Sequence, residues 1–192
     1  MNRRLPILAI AMLSLVALVS VVLTAPAPVL AQEGTQISGL GEVDDGECGT
    51  AAPFGQEADF SNKLSGDLTG CLYVFVDTFE CGPGGTYVET GTETFVGDYL
   101  DEEGNVVDSG TFWTTYVFIA KFESCTDGVL EGQISGGCYH PIIPGSGTEG
   151  FKGVSGRLVF IDDIEAGNFP YEGNLAFPAD VMEEEGAADN QD

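Results

Sequence analysis

His140 is the only histidine of the 192-residue chain, in the run Cys138-Tyr139-His140-Pro141. An imidazole titrates near neutrality and can serve as a general base. A lone histidine before a proline, near a strand end, is more often a structural hydrogen-bond donor. One histidine also argues against a His-based zinc enzyme. No Gly-x-Ser-x-Gly elbow occurs, so an α/β-hydrolase has no support. Three acidic runs, Asp44-Asp45-Gly46-Glu47, Asp101-Glu102-Glu103-Gly104-Asn105 and Asp162-Asp163, could offer oxygens to Ca²⁺, but none has the alternating Asp-x-Asp-x-Asp-Gly spacing. They read as a solvated acidic exterior. Arg157, the sole arginine after residue 31, reads as a surface charge. No catalytic residue, metal site or cofactor is assigned from these types.

Five cysteines, Cys48, Cys71, Cys81, Cys125 and Cys138, follow the N-terminal segment. No Cys-x-x-Cys pair is among them, which disfavours a zinc ribbon or a thioredoxin-like redox site. In an exported chain the default is two disulfides and one odd thiol. Counting strand directions places Cys81 and Cys125 at one end of a sheet, and Cys71 and Cys138 at the other. The expected bridges are therefore Cys81–Cys125 and Cys71–Cys138, with Cys48 free or displacing one partner. Cys71 and Cys81 stand too far apart along one strand to join.

Export is read from the first 31 residues. Arg3 and Arg4 precede a nearly unbroken apolar run over 5–23, and Val29 and Ala31 stand at the small-residue positions of a cleavage site. Cleavage after Ala31 is expected, with an uncleaved anchor as the alternative, so the protein is read as secreted or periplasmic without a stable membrane anchor. The whole chain carries 31 acids against 6 bases, a net charge of −25. Such a balance excludes a general nucleic-acid binder, since phosphate contacts need clustered Lys and Arg. It also suits high salt, where ions screen self-repulsion.

The elements that must position these residues are strands. Residues 71–76 are apolar on both faces, as in a strand covered on both sides. Residues 86–100, 129–139, 157–161 and 171–177 read as further strands, parted by Gly-rich turns. The strongest runs over 111–122. Its alternation puts Phe112, Thr114, Tyr116, Phe118, Ala120 and Phe122 on one face and Lys121 on the other, so the Phe112 face is expected inside. No segment after residue 31 has a persuasive helical period. The reading is all-β: an antiparallel barrel of about eight strands over 61–178, since closure removes edges. Residues 1–31 are the signal peptide, 32–60 an acidic, Gly-rich leader, and 179–192 a disordered acidic tail.

The stretch Gly145-Ser146-Gly147-Thr148-Glu149-Gly150-Phe151-Lys152-Gly153-Val154-Ser155-Gly156-Arg157-Leu158-Val159-Phe160 resembles a signature of allene oxide cyclases and dirigent proteins: Gly-Thr-Gly-x-Phe, a short gap, and a Gly opening the next strand. Here Glu149 is inserted in the Gly-Thr-Gly portion. The resemblance implies an eight-stranded antiparallel barrel of the calycin type. The motif marks a tight loop, so no catalytic residue carries over.

Two function classes stay open. Ranked first is a barrel that binds a small apolar ligand or serves as a non-catalytic extracellular module. The second is a cofactor-free isomerase or cyclase, in which positioning supplies the rate. Phe112, Tyr116, Phe118 and Asp77 are the expected barrel-lining, ligand-binding residues. Tyr116 and Asp77 are the polar candidates among aromatics.

Overall fold

The structure, a computed structural model, describes residues 34–126 and 128–178. The signal peptide and the acidic tail of the sequence reading lie outside them. Among the described residues nine strands form: β1 (Thr35–Val43), β2 (Phe60–Gly66), β3 (Leu68–Gly82), β4 (Thr86–Leu100), β5 (Val106–Thr126), β6 (Val129–Pro141), β7 (Thr148–Glu149), β8 (Ser155–Ile161) and β9 (Phe169–Ala176). Eight of them pair in the circuit β1-β2-β3-β4-β5-β6-β8-β9 and back to β1, every neighbour antiparallel. The two-residue β7 adds only a short pairing to β5, at Gly110 and Thr111. The protein is a closed, eight-stranded antiparallel β-barrel. Among the described residues no helix is long and apolar enough to cross a membrane.

The barrel begins earlier than the sequence suggests. β1 falls inside the stretch read as a leader, yet it closes the barrel between β2 and β9. Its inward positions run Ile37, Gly39, Gly41, Val43, so the middle two carry no apolar side chain. A Cβ on Gly39 would lie 2.4 Å from the Tyr171 hydroxyl, and one on Gly41 would lie 2.2 Å from the Phe169 ring. Rings from β9 fill the space that β1 leaves, so β1 lacks the alternation that marks a strand.

β3 explains its own double apolarity. Leu72 and Val74 point into the barrel, whereas Cys71, Tyr73 and Phe75 point out and pack with Ala52, Ala58 and Val96. Residues 44–59 thus form a strap over the outer wall. Cys48–Cys71 fastens it, and the Tyr73 hydroxyl donates to the Cys48 carbonyl at 3.3 Å. The strap's Asp44 carboxylate accepts from the Cys48 and Gly49 amides, which holds its carboxyl below the ordinary value. Asp101 is used likewise, capping its hairpin through Asn105. Two of the acidic runs weighed for Ca²⁺ therefore spend carboxylates on turns.

One expected bridge, Cys81–Cys125, is present. β4 begins only at Thr86, opposite Gly82 of β3 and Lys121 of β5, so β5 runs on past it and Cys125 reaches Cys81 across its start. The other, Cys71–Cys138, is corrected to Cys48–Cys71: Cys48 displaces Cys138, the alternative left open for it, and Cys138 is a free thiol. Cys71 faces outward under the strap and Cys138 faces inward, so the barrel wall separates them.

The interior is unevenly filled. At one end Phe95, Phe112 and Phe151 form a three-ring cluster with centroids 5.0–5.8 Å apart. Leu64, Leu68, Leu72, Leu158 and Leu175 surround it, all at most 1% exposed. Burying each such side chain contributes about 1.5–3 kcal/mol. Phe151 and Val154 come from the connection between β6 and β8, the stretch that carries the family resemblance, and they plug this end. Tyr171 is buried there too. Its hydroxyl accepts from the Leu68 amide at 2.9 Å and donates to the Leu68 carbonyl, and burial pushes its pKa up to about 12.

Candidate ligand cavity

The other end is hollow. It opens where β1, β3, β5 and β8 finish and β2, β4, β6 and β9 start. A cavity of about 520 Å³ lies there, within the range of small-molecule sites. Its walls are Phe60, Leu72 and Val74 on one side and Tyr116, Phe118, Phe122 and Phe160 on the other. Asp162, Asp163, Ile164 and Asn168, from the connection between β8 and β9, stand at the rim with Phe169.

β4 supplies the polar part. Its inward positions run Tyr87, Glu89, Gly91, Glu93, Phe95, so two carboxylates stand on the face that the strand's aromatics share. Glu89 accepts two phenol hydroxyls, from Tyr87 at 2.5 Å and Tyr116 at 2.8 Å. Burial, reinforced by Glu89, pushes both phenols well above the ordinary tyrosine value. Gly91 makes the Tyr116 arrangement fit. The two residues are register partners, and a Cβ on Gly91 would lie 2.7 Å from the Tyr116 ring and 2.1 Å from the Phe75 carbonyl oxygen.

Glu93 is 3% exposed and forms the second cluster. One of its oxygens, Oε2, accepts the Thr114 hydroxyl at 2.8 Å and contacts His140 Nδ1. A carboxylate only accepts, so Nδ1 carries the hydrogen, and in the neutral ring Nε2 then presents a lone pair. The ring lies between two others: stacked on Tyr116 at 5.9 Å and edge-on to Phe160 at 4.7 Å. His140 is 3% exposed, and its Nε2 has no hydrogen-bond partner among the described residues. An imidazole oriented by a carboxylate at one nitrogen and bare at the other can take a proton or accept a hydrogen bond from a molecule in the cavity.

Cys138 also lines the cavity, and burial with the nearby Glu93 charge pushes its thiol far up, so it is a poor nucleophile. Asp162 contacts the Gln133 amide, and burial raises its carboxyl above the ordinary value. Among the described residues no group of three His, Cys, Asp or Glu side chains is placed to hold a metal ion.

Of the four residues expected to line a ligand site, Tyr116 and Phe118 stand on the cavity wall. Phe112 faces inward but is fully buried in the packed cluster beneath. Asp77 is exposed at the β3–β4 register break between Val76 and Thr78, so it lines no part of the interior. Glu89, Glu93 and Asn62 were missed. The signal for the first two was present: they sit at even spacing between Tyr87 and Phe95, on the apolar face of a strand. Arg157 is exposed on the outer wall. These features define an antiparallel barrel with a single-ended cavity, an architecture consistent with calycin-type barrels generally. No family model matches the chain, and no curated protein or solved structure matches it either.

Proposed function

We propose that this protein is an exported binding module that holds a small, largely apolar molecule in the open half of its barrel. The observation that carries the reading is the cavity of about 520 Å³, with aromatic walls and a few convergent polar groups at its base. The neutral, apolar probe N-phenyl-1-naphthylamine tests it. Saturable fluorescence enhancement at one probe per chain is expected. It weakens strongly in Cys138→Phe, which pushes a ring into the cavity. Absence of saturable binding to the wild type contradicts the reading. Export is supported by the N-terminal pattern of residues 1–31 and by two disulfides, which persist in oxidising compartments. The intact mass of the secreted product should correspond to a chain beginning at Gln32; an uncleaved N-terminus contradicts this.

One observation favours the second reading, a cofactor-free isomerase or cyclase as the resemblance over 145–160 implies. His140 Nε2 is buried, bare and oriented by Glu93. A general base there would abstract an acidic C–H proton from a molecule held against the aromatic wall. The molecule captured from the native source, incubated in D₂O, would gain deuterium with the wild type and not with His140→Gln. Equal exchange with both removes the enzymatic reading.

A further inference from the structure

Resting on the reading of the cavity as a ligand site, the balance of donors and acceptors around it specifies the ligand's polar end. Two buried polar atoms that line the cavity have no hydrogen-bond partner among the described residues: Asn62 Oδ1 on β2, an acceptor, and His140 Nε2 on β6, an acceptor in the neutral ring. Asn62 is 8% exposed and His140 3%. Four side-chain donors nearby are already committed. The Tyr87 and Tyr116 hydroxyls go to Glu89, the Thr114 hydroxyl to Glu93, and the Gln133 amide to Asp162. Buried polar groups are normally paired, so acceptors left over call for a donor from elsewhere.

Charge points the same way. Glu89, Glu93, Asp162 and Asp163 line the cavity, and among the described residues no Lys or Arg does. The chain as a whole carries −25. An anionic ligand would meet like charge at the mouth and at the base, with no cation to pair with. A cation would meet carboxylates and the faces of Tyr116, Phe118 and Phe160, which attract positive charge through their ring quadrupoles.

We propose that the cavity selects an apolar molecule bearing a protonated amine, and rejects carboxylates. The ammonium brings hydrogen-bond donors and no acceptor. Its partners are His140 Nε2, Asn62 Oδ1 and the Glu89 carboxylate, and its apolar body lies against the aromatic wall.

Three probes with one ring system test this: 1-naphthylmethylamine, 1-naphthylmethanol and 1-naphthoate, each titrated calorimetrically into the disulfide-intact protein at neutral pH. The amine should bind roughly tenfold or more tightly than the alcohol, the gain expected of charge-assisted hydrogen bonds. The acid should show no binding. Molar NaCl should narrow the amine's lead, and Asn62→Leu should weaken the amine more than the alcohol. Equal affinity for amine and alcohol, or binding of the naphthoate as tight as the amine, overturns the proposal while leaving the cavity a ligand site. Binding of none of the three overturns the ligand-site reading and the proposal with it.

Discussion

The two ends of the barrel are built from the same strands and differ in what those strands turn inward. β4 turns in Phe95 at one end and Glu89 and Glu93 toward the other; β5 turns in Phe112 at one end and Tyr116 and Phe118 toward the other. The packed end also receives a plug, Phe151 and Val154, from the connection before β8. Among the described residues the open end receives no such plug from its connections; instead Cys81–Cys125 fastens β3 to β5 across the start of β4. An eight-stranded barrel is just wide enough for side chains to fill it. Hollowness is therefore a local choice, made by placing paired polar groups where a plug would sit. The contrast separates labour: apolar burial at one end holds the fold, and the other end is free for a ligand.

The largest expected effect tests that separation. Phe151→Ala removes a fully buried ring from the packed cluster and should cost about 3–5 kcal/mol, read from urea unfolding. Phe118→Ala, on the cavity wall and only partly buried, should cost less than half as much. Equal losses would mean that the open end carries as much of the stability as the packed one.

Somewhat smaller is the cost of breaking the buried pair. Glu93→Ala leaves His140 and Thr114 without their acceptor and should destabilise by about 3 kcal/mol. The double substitution Glu93→Met/His140→Leu removes both polar partners and should recover most of that loss, while abolishing amine binding. If the double variant is no more stable than the single one, the pair is structural glue rather than a site.

The disulfides come next. Cys81→Ser/Cys125→Ser should cost about 2–4 kcal/mol. Cys48→Ser/Cys71→Ser should cost less by roughly 0.6 kcal/mol, because its sequence separation is 23 residues against 44. The first pair should also loosen probe binding at the open end; the second, outside the wall, should not. Loss of binding in the strap variant would contradict the placement of the site.

The smallest effect is at the rim. Burial raises the Asp162 carboxyl above its ordinary 3.8. Between 3.8 and the raised value the folded chain binds more protons than the unfolded one, so stability falls as pH rises through that window. Urea midpoints across it should show that slope flattened in Asp162→Asn. An unchanged slope would place the titration elsewhere.

Much of this was legible in the residues. β5 has clean alternation, and its Phe112 face lies inside as that alternation requires. The double apolarity of residues 71–76 reports the strap, though not which segment supplies it. β1 was illegible because Gly39 and Gly41 make room for Tyr171 and Phe169, residues more than a hundred positions away. Cys138 was misassigned because counting strand ends ignores which face of the wall a side chain takes. Glu89 and Glu93 escaped notice because Thr and Gly surround them, and only the closed sheet brings Tyr116, Thr114 and His140 to their oxygens.

The central claim, that the open end receives a hydrogen-bond donor at His140, has a direct test, since the chain has a single histidine. Protein labelled with ¹⁵N-histidine gives one pair of ring-nitrogen signals. Before ligand is added, and at a pH where the ring is neutral, Nδ1 should appear protonated and Nε2 bare. Saturation with 1-naphthylmethylamine should move the Nε2 signal toward that of a hydrogen-bonded nitrogen and leave Nδ1, held by Glu93, nearly unchanged. Signals that stay fixed at saturating amine would contradict the account.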